Sequence, residues 1–226
     1  MSTQPLGFAI VGTGMIAGVH AQAINAVSGA RLVGVVSRSA ERGPAFAGTH
    51  GAEVITATVE EMVAREDVDV LCVTMPSGAH LEPALAAIRA GTHVVVEKPL
   101  EATTERADEI AAAAQAAGVR LAPIFQNRFS EGARTVKAAV EAGRLGRLAM
   151  AGCYVKWFRT EEYYQGSPWK GTLKMDGGGT VMNQAIHGVA LLQWLAGLPE
   201  DVAAFTTRRV HTGIEAEETA VACCAF

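Results

Sequence analysis

The stretch Phe8-Ala9-Ile10-Val11-Gly12-Thr13-Gly14-Met15-Ile16-Ala17 narrows the folds open to this chain more than any other. Four apolar residues that read as a strand run into two spaced glycines, and an alanine-rich helical stretch continues to about Val27. This is a dinucleotide fingerprint with alanine in the place of the third glycine, in the strand-turn-helix setting that gives the pattern its meaning. Gly12 permits the tight turn and Gly14 lets the backbone approach a pyrophosphate. Ala17 lets the helix pack close to the strand, so that the positive end of the helix dipole faces the phosphates. Met15 and Ile16 open the helix and belong to the same cofactor-binding turn. The plainer alternative is a glycine turn used only for packing.

Beyond Val27 the chain repeats the alternation of strand and helix that a parallel sheet needs. A second strand is expected from Arg31 to Val36, a helix around Val59 to Arg65, a strand from Val68 to Thr74 and a helix from Pro83 to Ala90. After Gly91 comes Val94-Val95-Val96-Glu97-Lys98-Pro99-Leu100, a β-branched run that stops at a charged pair and a proline. It reads as a buried strand whose carboxyl end delivers Glu97 and Lys98 to a crevice, where open α/β sheets bind ligands. The alternative is a strand that simply ends in solvent. A helix from Thr104 to Ala117, closed by Gly118, and a strand from Val119 to Ile124 complete the pattern.

The second strand ends at Ser37 and Arg38, where an NAD binder usually carries an acid for the ribose 2′-hydroxyl. No carboxylate stands there to repel a 2′-phosphate, and both residues can bind one, so NADP is favoured over NAD. Otherwise Arg38 is a solvated surface charge. Pro76 and His80, in the loop after the strand ending at Thr74, are placed at the cofactor site as well, with loop ordering as the competing role for His80.

Composition sets limits on the rest. Half of the 226 residues are hydrophobic, enough for sizeable cores, yet no run approaches a membrane span, so a soluble protein with no membrane partner is expected. A formal charge of −4 provides no basic stripe for nucleic acid. The N-terminus shows no signal-peptide pattern, and Cys72, Cys153, Cys223 and Cys224 lack metal-ligand spacing. A cytoplasmic protein with free thiols and no metal site is the expectation.

Three motifs in order, Gly12 to Ala17, Pro76-Ser77-Gly78-Ala79-His80, and Gly91-Thr92-His93 running into Glu97-Lys98-Pro99, resemble the N-terminal half of the Gfo/Idh/MocA oxidoreductases. Phe125-Gln126-Asn127-Arg128-Phe129 and Gly143-Arg144-Leu145-Gly146 resemble that family's passage into its second domain. The resemblance runs from about Phe8 to the last residue. It implies a nicotinamide-dependent dehydrogenase acting on a sugar, cyclitol, sugar acid or sugar nucleotide. It also puts Lys98 at the junction of nicotinamide and substrate, where an ammonium can donate to the reacting oxygen or the ribose. Glu97 either orients Lys98 or closes the strand.

After a helix near Glu131 to Ala142 and a strand from about Leu148 to Val155, the chain turns aromatic. Every tyrosine and two of the three tryptophans fall between Tyr154 and Trp169, among Lys156, Arg159 and Lys170. Flat rings beside cations suit a carbohydrate, including an anionic one; a subunit interface or lid would use the same residues. Arg128, Arg159, Tyr164, Trp169, Lys170 and Asn183 are the candidate substrate residues. Tyr163 to Gly171 resembles a family branch of sugar-nucleotide dehydrogenases, with Lys170 where an arginine is expected, which removes a bidentate anion contact.

The glycine run Gly177-Gly178-Gly179 precedes a helix expected to reach about Leu195, with Asn183 and His187 four apart on one face. The resemblance makes His187 the acid-base residue and gives Asn183 an orienting role. Two departures stand out: Asn183 where many members carry aspartate, and Ala190 where they carry it again. Without a carboxylate His187 is a poorer base. Members of the family are also longer, and residues 215–226 read as a buried strand that needs neighbours, which predicts self-association through the C-terminal half.

The sequence therefore predicts an α/β fold: a Rossmann-type parallel-sheet domain over residues 1–122, then an incomplete α+β domain over 123–226 with a mostly antiparallel sheet. Lys98, His187 and Asn183 are the catalytic candidates for hydride transfer between a secondary alcohol and NAD(P). The competing readings are a non-catalytic nucleotide- or sugar-sensing protein on the same scaffold, or an inactive fragment.

Overall fold

The computed structural model describes residues 4–226, which form two compact units, one ending at Ile124 and the other spanning Phe125–Phe226. In the first unit six strands form one parallel sheet: β1 (Leu6–Val11), β2 (Ala30–Val36), β3 (Val54–Thr56), β4 (Val70–Val73), β5 (His93–Val96) and β6 (Leu121–Pro123). Their spatial order is β3-β2-β1-β4-β5-β6, the doubly wound Rossmann order, which reverses direction between β1 and β4 and opens a crevice there. Helices α1 (Met15–Ala26), α2 (Arg42–His50), α3 (Val59–Val63), α4 (Leu81–Arg89) and α5 (Thr104–Ala117) connect the strands.

The central strands are buried on both faces, which explains their unbroken apolar runs. One core cluster contains Val33, Leu71, Val73, Val94 and Val96 of the sheet with Leu85, Ile88 and Ile110 of α4 and α5. The other sets Ile10, Val35 and Cys72 against Ala17, Ala21 and Ile24 of α1, the small residues bringing that helix close to the strands. Thr58 caps α3 in a reciprocal capping box with Glu61, and Thr103 accepts the Arg106 backbone N–H at the start of α5.

The second unit holds α6 (Glu131–Glu141), α7 (Glu161–Gln165), a π-helical turn (Thr180–Ala185), α8 (Ile186–Ala196) and an antiparallel hairpin of β7 (Asp201–Thr207) with β8 (Thr219–Ala225). Three expectations need correction. The segment from Leu148 to Val155 is not a strand, because among the described residues nothing pairs with it. The final strand begins at Thr219 and is exposed along most of its length rather than buried, since the hairpin has no third strand or covering layer among the described residues. Asn183 sits in a π-turn, so the α-helical spacing that put it on one face with His187 does not hold there. Elements α2, β3, α7 and β7 were not foreseen. Among the described residues no helix is long and apolar enough to cross a membrane.

Candidate functional site

At the carboxyl end of β1, Gly12 takes φ +109°, and a Cβ there would lie 2.9 Å from Thr74 Oγ1, so the turn admits only glycine. Gly14 is the reverse case: it is exposed, and a Cβ there would meet no atom within 4 Å. It precedes α1, whose amino end has neither a capping side chain nor an acidic residue in its first turn. The amino ends of α3, α5 and α6 all have both. Open space beside a flexible backbone, at the uncapped positive end of a twelve-residue helix, fits a dinucleotide pyrophosphate. Met15 is 90% exposed and Ile16 half-buried on the same turn.

Ser37 and Arg38 lie just beyond the carboxyl end of β2. Ser37 Oγ accepts the Ser39 backbone N–H at 3.3 Å, and Arg38 is exposed. Ser39 Oγ in turn accepts the Arg42 backbone N–H at 3.1 Å, placing a second arginine at the start of the next helix.

The loop after β5 is held from several directions. Glu97 is 7% exposed; its Oε1 lies 2.9 Å from His20 Nε2 on α1, and its Oε2 accepts the Lys98 backbone N–H at 3.1 Å. Burial works against the Glu97 charge, but the His20 hydrogen bond and charge, together with the Lys98 N–H and ammonium, hold its carboxyl below the usual range. Beneath it on β4, burial and then the Glu97 charge push the Cys72 thiol up to about 12, so Cys72 is a neutral core group. Lys98 is half-buried and joined to Pro99 by a cis peptide bond.

His80 is 1% exposed, with Nδ1 3.0 Å from the Pro99 carbonyl and Nε2 2.7 Å from the Met75 carbonyl. Its ring thus ties the loop after β4 to the loop carrying Lys98, which is the loop-ordering role. Pro76 begins the single 3-10 turn between those points. Glu101 completes the mount: fully buried, it accepts the Leu81 backbone N–H at the start of α4 and a 2.9 Å hydrogen bond from Arg106 Nη2.

In the second unit the candidate residues form a polar chain. Asp176, 2% exposed, accepts the Gly171 backbone N–H at 2.8 Å on one oxygen and Asn183 Nδ2 at 2.6 Å on the other. Gln184 donates to Tyr163 Oη at 3.0 Å and to Asn183 Oδ1 at 3.4 Å, and its own Oε1 accepts from Arg159 Nη2. Two cations lie close to the Tyr163 ring, the Arg159 guanidinium 5.1 Å and the Lys170 ammonium 3.8 Å from its centroid. Burial lowers the Lys170 pKa and Arg159 lowers it further, against the opposing pull of Asp176.

Tyr164 packs edge-on to Tyr163 and 4.8 Å from the His211 ring; burial, then Tyr163 and nearby carboxylates, raise its phenol. Sequence reasoning missed Asp176, Gln184, His211 and His20. The structure therefore brings Arg159, Tyr164, Lys170 and Asn183 together. Trp169 is half-buried on the adjoining turn, where its carbonyl accepts Thr172 Oγ1. Arg128 stacks 5.2 Å from the Phe125 ring. His187 is the half-buried second residue of α8.

The π-turn that bears Asn183 has its own anchor. A Cβ on Gly179 would fall 1.7 Å from the Glu217 carbonyl oxygen, so only glycine fits. Glu217 also accepts the Gly179 and Val181 backbone N–H groups on its two carboxylate oxygens, at 3.0 and 2.9 Å.

A family model described as the oxidoreductase family with an NAD-binding Rossmann fold, GFO/IDH/MocA, matches residues 6–125, and the GFO/IDH/MocA C-terminal domain model matches residues 133–226. The chain is 36% identical over 168 residues to the 1,5-anhydro-D-fructose reductase of Ensifer adhaerens, covering 74% of this chain and 50% of that protein. It is 32% identical over 188 residues to inositol 2-dehydrogenase 3 of Saccharopolyspora erythraea, covering 82% and 52%. The WlbA dehydrogenase from Bordetella pertussis, solved in complex with NADH and UDP-GlcNAcA, matches with a TM-score of 0.93 at 37% identity, over 99% of this chain and 64% of that one. The chain spans about half the length of the curated relatives it matches.

Proposed function

This chain belongs to the GFO/IDH/MocA oxidoreductase family, and from that membership we propose that it carries the cofactor site and part of the substrate site of an NAD(P)-dependent dehydrogenase acting on a secondary alcohol of a sugar-like substrate. The observation that carries this reading is the open, uncapped start of α1 beside Gly14, at the point where the sheet order reverses. Gly12, Gly14, Met15 and Ile16 would hold the pyrophosphate. The nicotinamide, when bound, supplies the hydride acceptor.

The chain's own residues supply the remaining chemistry. Lys98 donates to the reacting oxygen or the ribose and stabilises the charge that develops there. His187 takes the hydroxyl proton as general base. Asn183, held through its amide by Asp176, orients the hydroxyl. This reading gives the π-turn a carboxylate at one remove, where the sequence shows asparagine. Arg159 and Lys170, two cations close to one aromatic ring, favour an anionic substrate such as a sugar acid or a sugar nucleotide. The UDP-GlcNAcA bound by the WlbA relative supports the same class.

Ser37 and Arg38, with no acid between β2 and Ser39, favour NADP over NAD, and Arg42 adds a second cation to that loop. Titration of both reduced cofactors into the protein and into Arg38→Ala tests this: NADPH binds more tightly in the wild type, and the variant narrows the gap. Equal affinities would remove the preference. The activity itself is tested by incubating the protein and either oxidised cofactor with inositols, sugar acids and UDP-sugars. Reduced nicotinamide should form with an anionic sugar. Formation only with neutral cyclitols would move the substrate class. Self-association is part of the same reading, through the hairpin face where the paired residues Phe205 and Val221 are exposed. Light scattering at low micromolar concentration that finds a monomer would remove it.

A further inference from the structure

His20 lies on the α1 face that also carries Ala17, Ala21 and Ile24, and it is the residue of that face that reaches across to the loop after β5. The side chains of His20 and Glu97 are 11% and 10% exposed, and their hydrogen bond spans 77 positions of sequence. A buried polar pair is a poor stability device, since well-packed apolar residues of the same volume usually do as well. The helix is already seated by its alanines and Ile24, and the loop is already tied by His80 and Glu101. What the pair adds is a fixed relation between the two. Glu97 holds His20 with one oxygen and the Lys98 backbone N–H with the other, so a single carboxylate joins the phosphate-facing helix to the peptide that aims Lys98.

We propose that His20 is a positioning residue: through Glu97 it fixes the Lys98 peptide to α1, so that the dinucleotide-binding helix and the Lys98 ammonium share one rigid mount. The proposal rests on the dehydrogenase reading above. It predicts that His20→Ala keeps its affinity for NADPH within about 3-fold and its KM nearly unchanged while kcat falls by roughly 10-fold or more, the penalty of a slightly misplaced group. His20→Gln, which keeps an N–H donor on a side chain of similar reach, recovers most of that loss.

The test uses the full chain and both variants, with steady-state kinetics, NADPH fluorescence titration, thermal melting and the NMR signals of the Lys98 amide and the Glu97 carboxyl. In His20→Ala the Glu97 carboxyl should titrate higher than in the wild type, and NADPH should no longer shift the Lys98 amide signal as it does in the wild type. Unchanged kcat in His20→Ala would overturn the proposal. So would a loss of kcat, NADPH affinity and melting temperature together that glutamine does not restore. If the wild type turns over no sugar, the dehydrogenase reading fails, and the pair is decided by the Lys98 signal alone. A cofactor-induced shift present in the wild type and absent in His20→Ala supports the coupling, and the same shift in both overturns it.

Discussion

The two units are held together by different physics. In the first, branched aliphatic residues of a parallel sheet are buried between helices, with Ile10, Val33, Val35, Leu71, Val73 and Val96 fully covered. In the second, the buried apolar residues among those described are only Ala190, Ile214 and Ala216, while Trp157, Phe158, Val202, Phe205 and Val221 stay exposed. Its organisation comes instead from carboxylates that bind backbone N–H groups. Asp176 takes Gly171, Glu215 takes Leu173, Glu217 takes Gly179 and Val181, and Glu218 takes Arg209, Val210 and His211 as well as the His211 ring. The difference teaches that a candidate cofactor site can rest on non-directional burial, whereas the turns around Asn183 depend on directional, charge-assisted bonds that acid can remove.

The largest expected effect is on the buried sheet. Leu71→Ala should cost about 2–5 kcal/mol in denaturant unfolding, because Leu71 is wholly buried and the sheet around it cannot collapse into the space. In the second unit Glu217→Gln should cost about 1–3 kcal/mol, since two N–H groups lose a charged acceptor. Near-UV circular dichroism should place that loss in the second unit, where every tryptophan and tyrosine lies.

The acid response sharpens the comparison. Burial opposes the Glu218 charge, but three backbone N–H groups and the His211 ring hold its pKa near 2, below the ordinary value of about 4.5. A carboxylate depressed in the folded state contributes stability that is complete above the unfolded value and is lost as pH falls through the folded one. Tryptophan fluorescence, which reports only the second unit, should therefore change between about pH 4.5 and 2 before far-UV dichroism reports loss of the sheet. Simultaneous loss of both signals would break the comparison. The smallest effect is expected from Phe205→Ala measured on the dissociated chain: that side chain is 85% exposed there, so the change should fall within about 0.5 kcal/mol. A cost approaching that of Leu71→Ala would mean that Phe205 is covered in solution.

The first unit was legible because its determinants are local. The strand runs, the Gly12 and Gly14 turn and the Thr104 to Ala117 helix each announce themselves within a dozen residues. Its misses are the weak cases: α2 contains Gly43, Pro44 and Gly48, which argue against a helix, and β3 is three residues long. In the second unit the deciding partners are remote. Glu217 binds amides 36 and 38 positions away, and the Leu148 to Val155 stretch has strand composition, although only a partner makes a strand. His20 is the same kind of case in the first unit. The one local hint was a histidine on a helix face otherwise made of alanine and isoleucine.

The measurement that bears most directly on the function is the single-turnover rate of hydride transfer to NADP from a UDP-linked sugar acid, in the wild type and in Lys98→Ala. Reduced nicotinamide should form in the wild type, and the variant should slow it by ~10²-fold while its cofactor affinity stays nearly the same. An unchanged rate in Lys98→Ala, or no reduction of either cofactor in a wild type that binds both, would contradict the assignment of this chain to that chemistry.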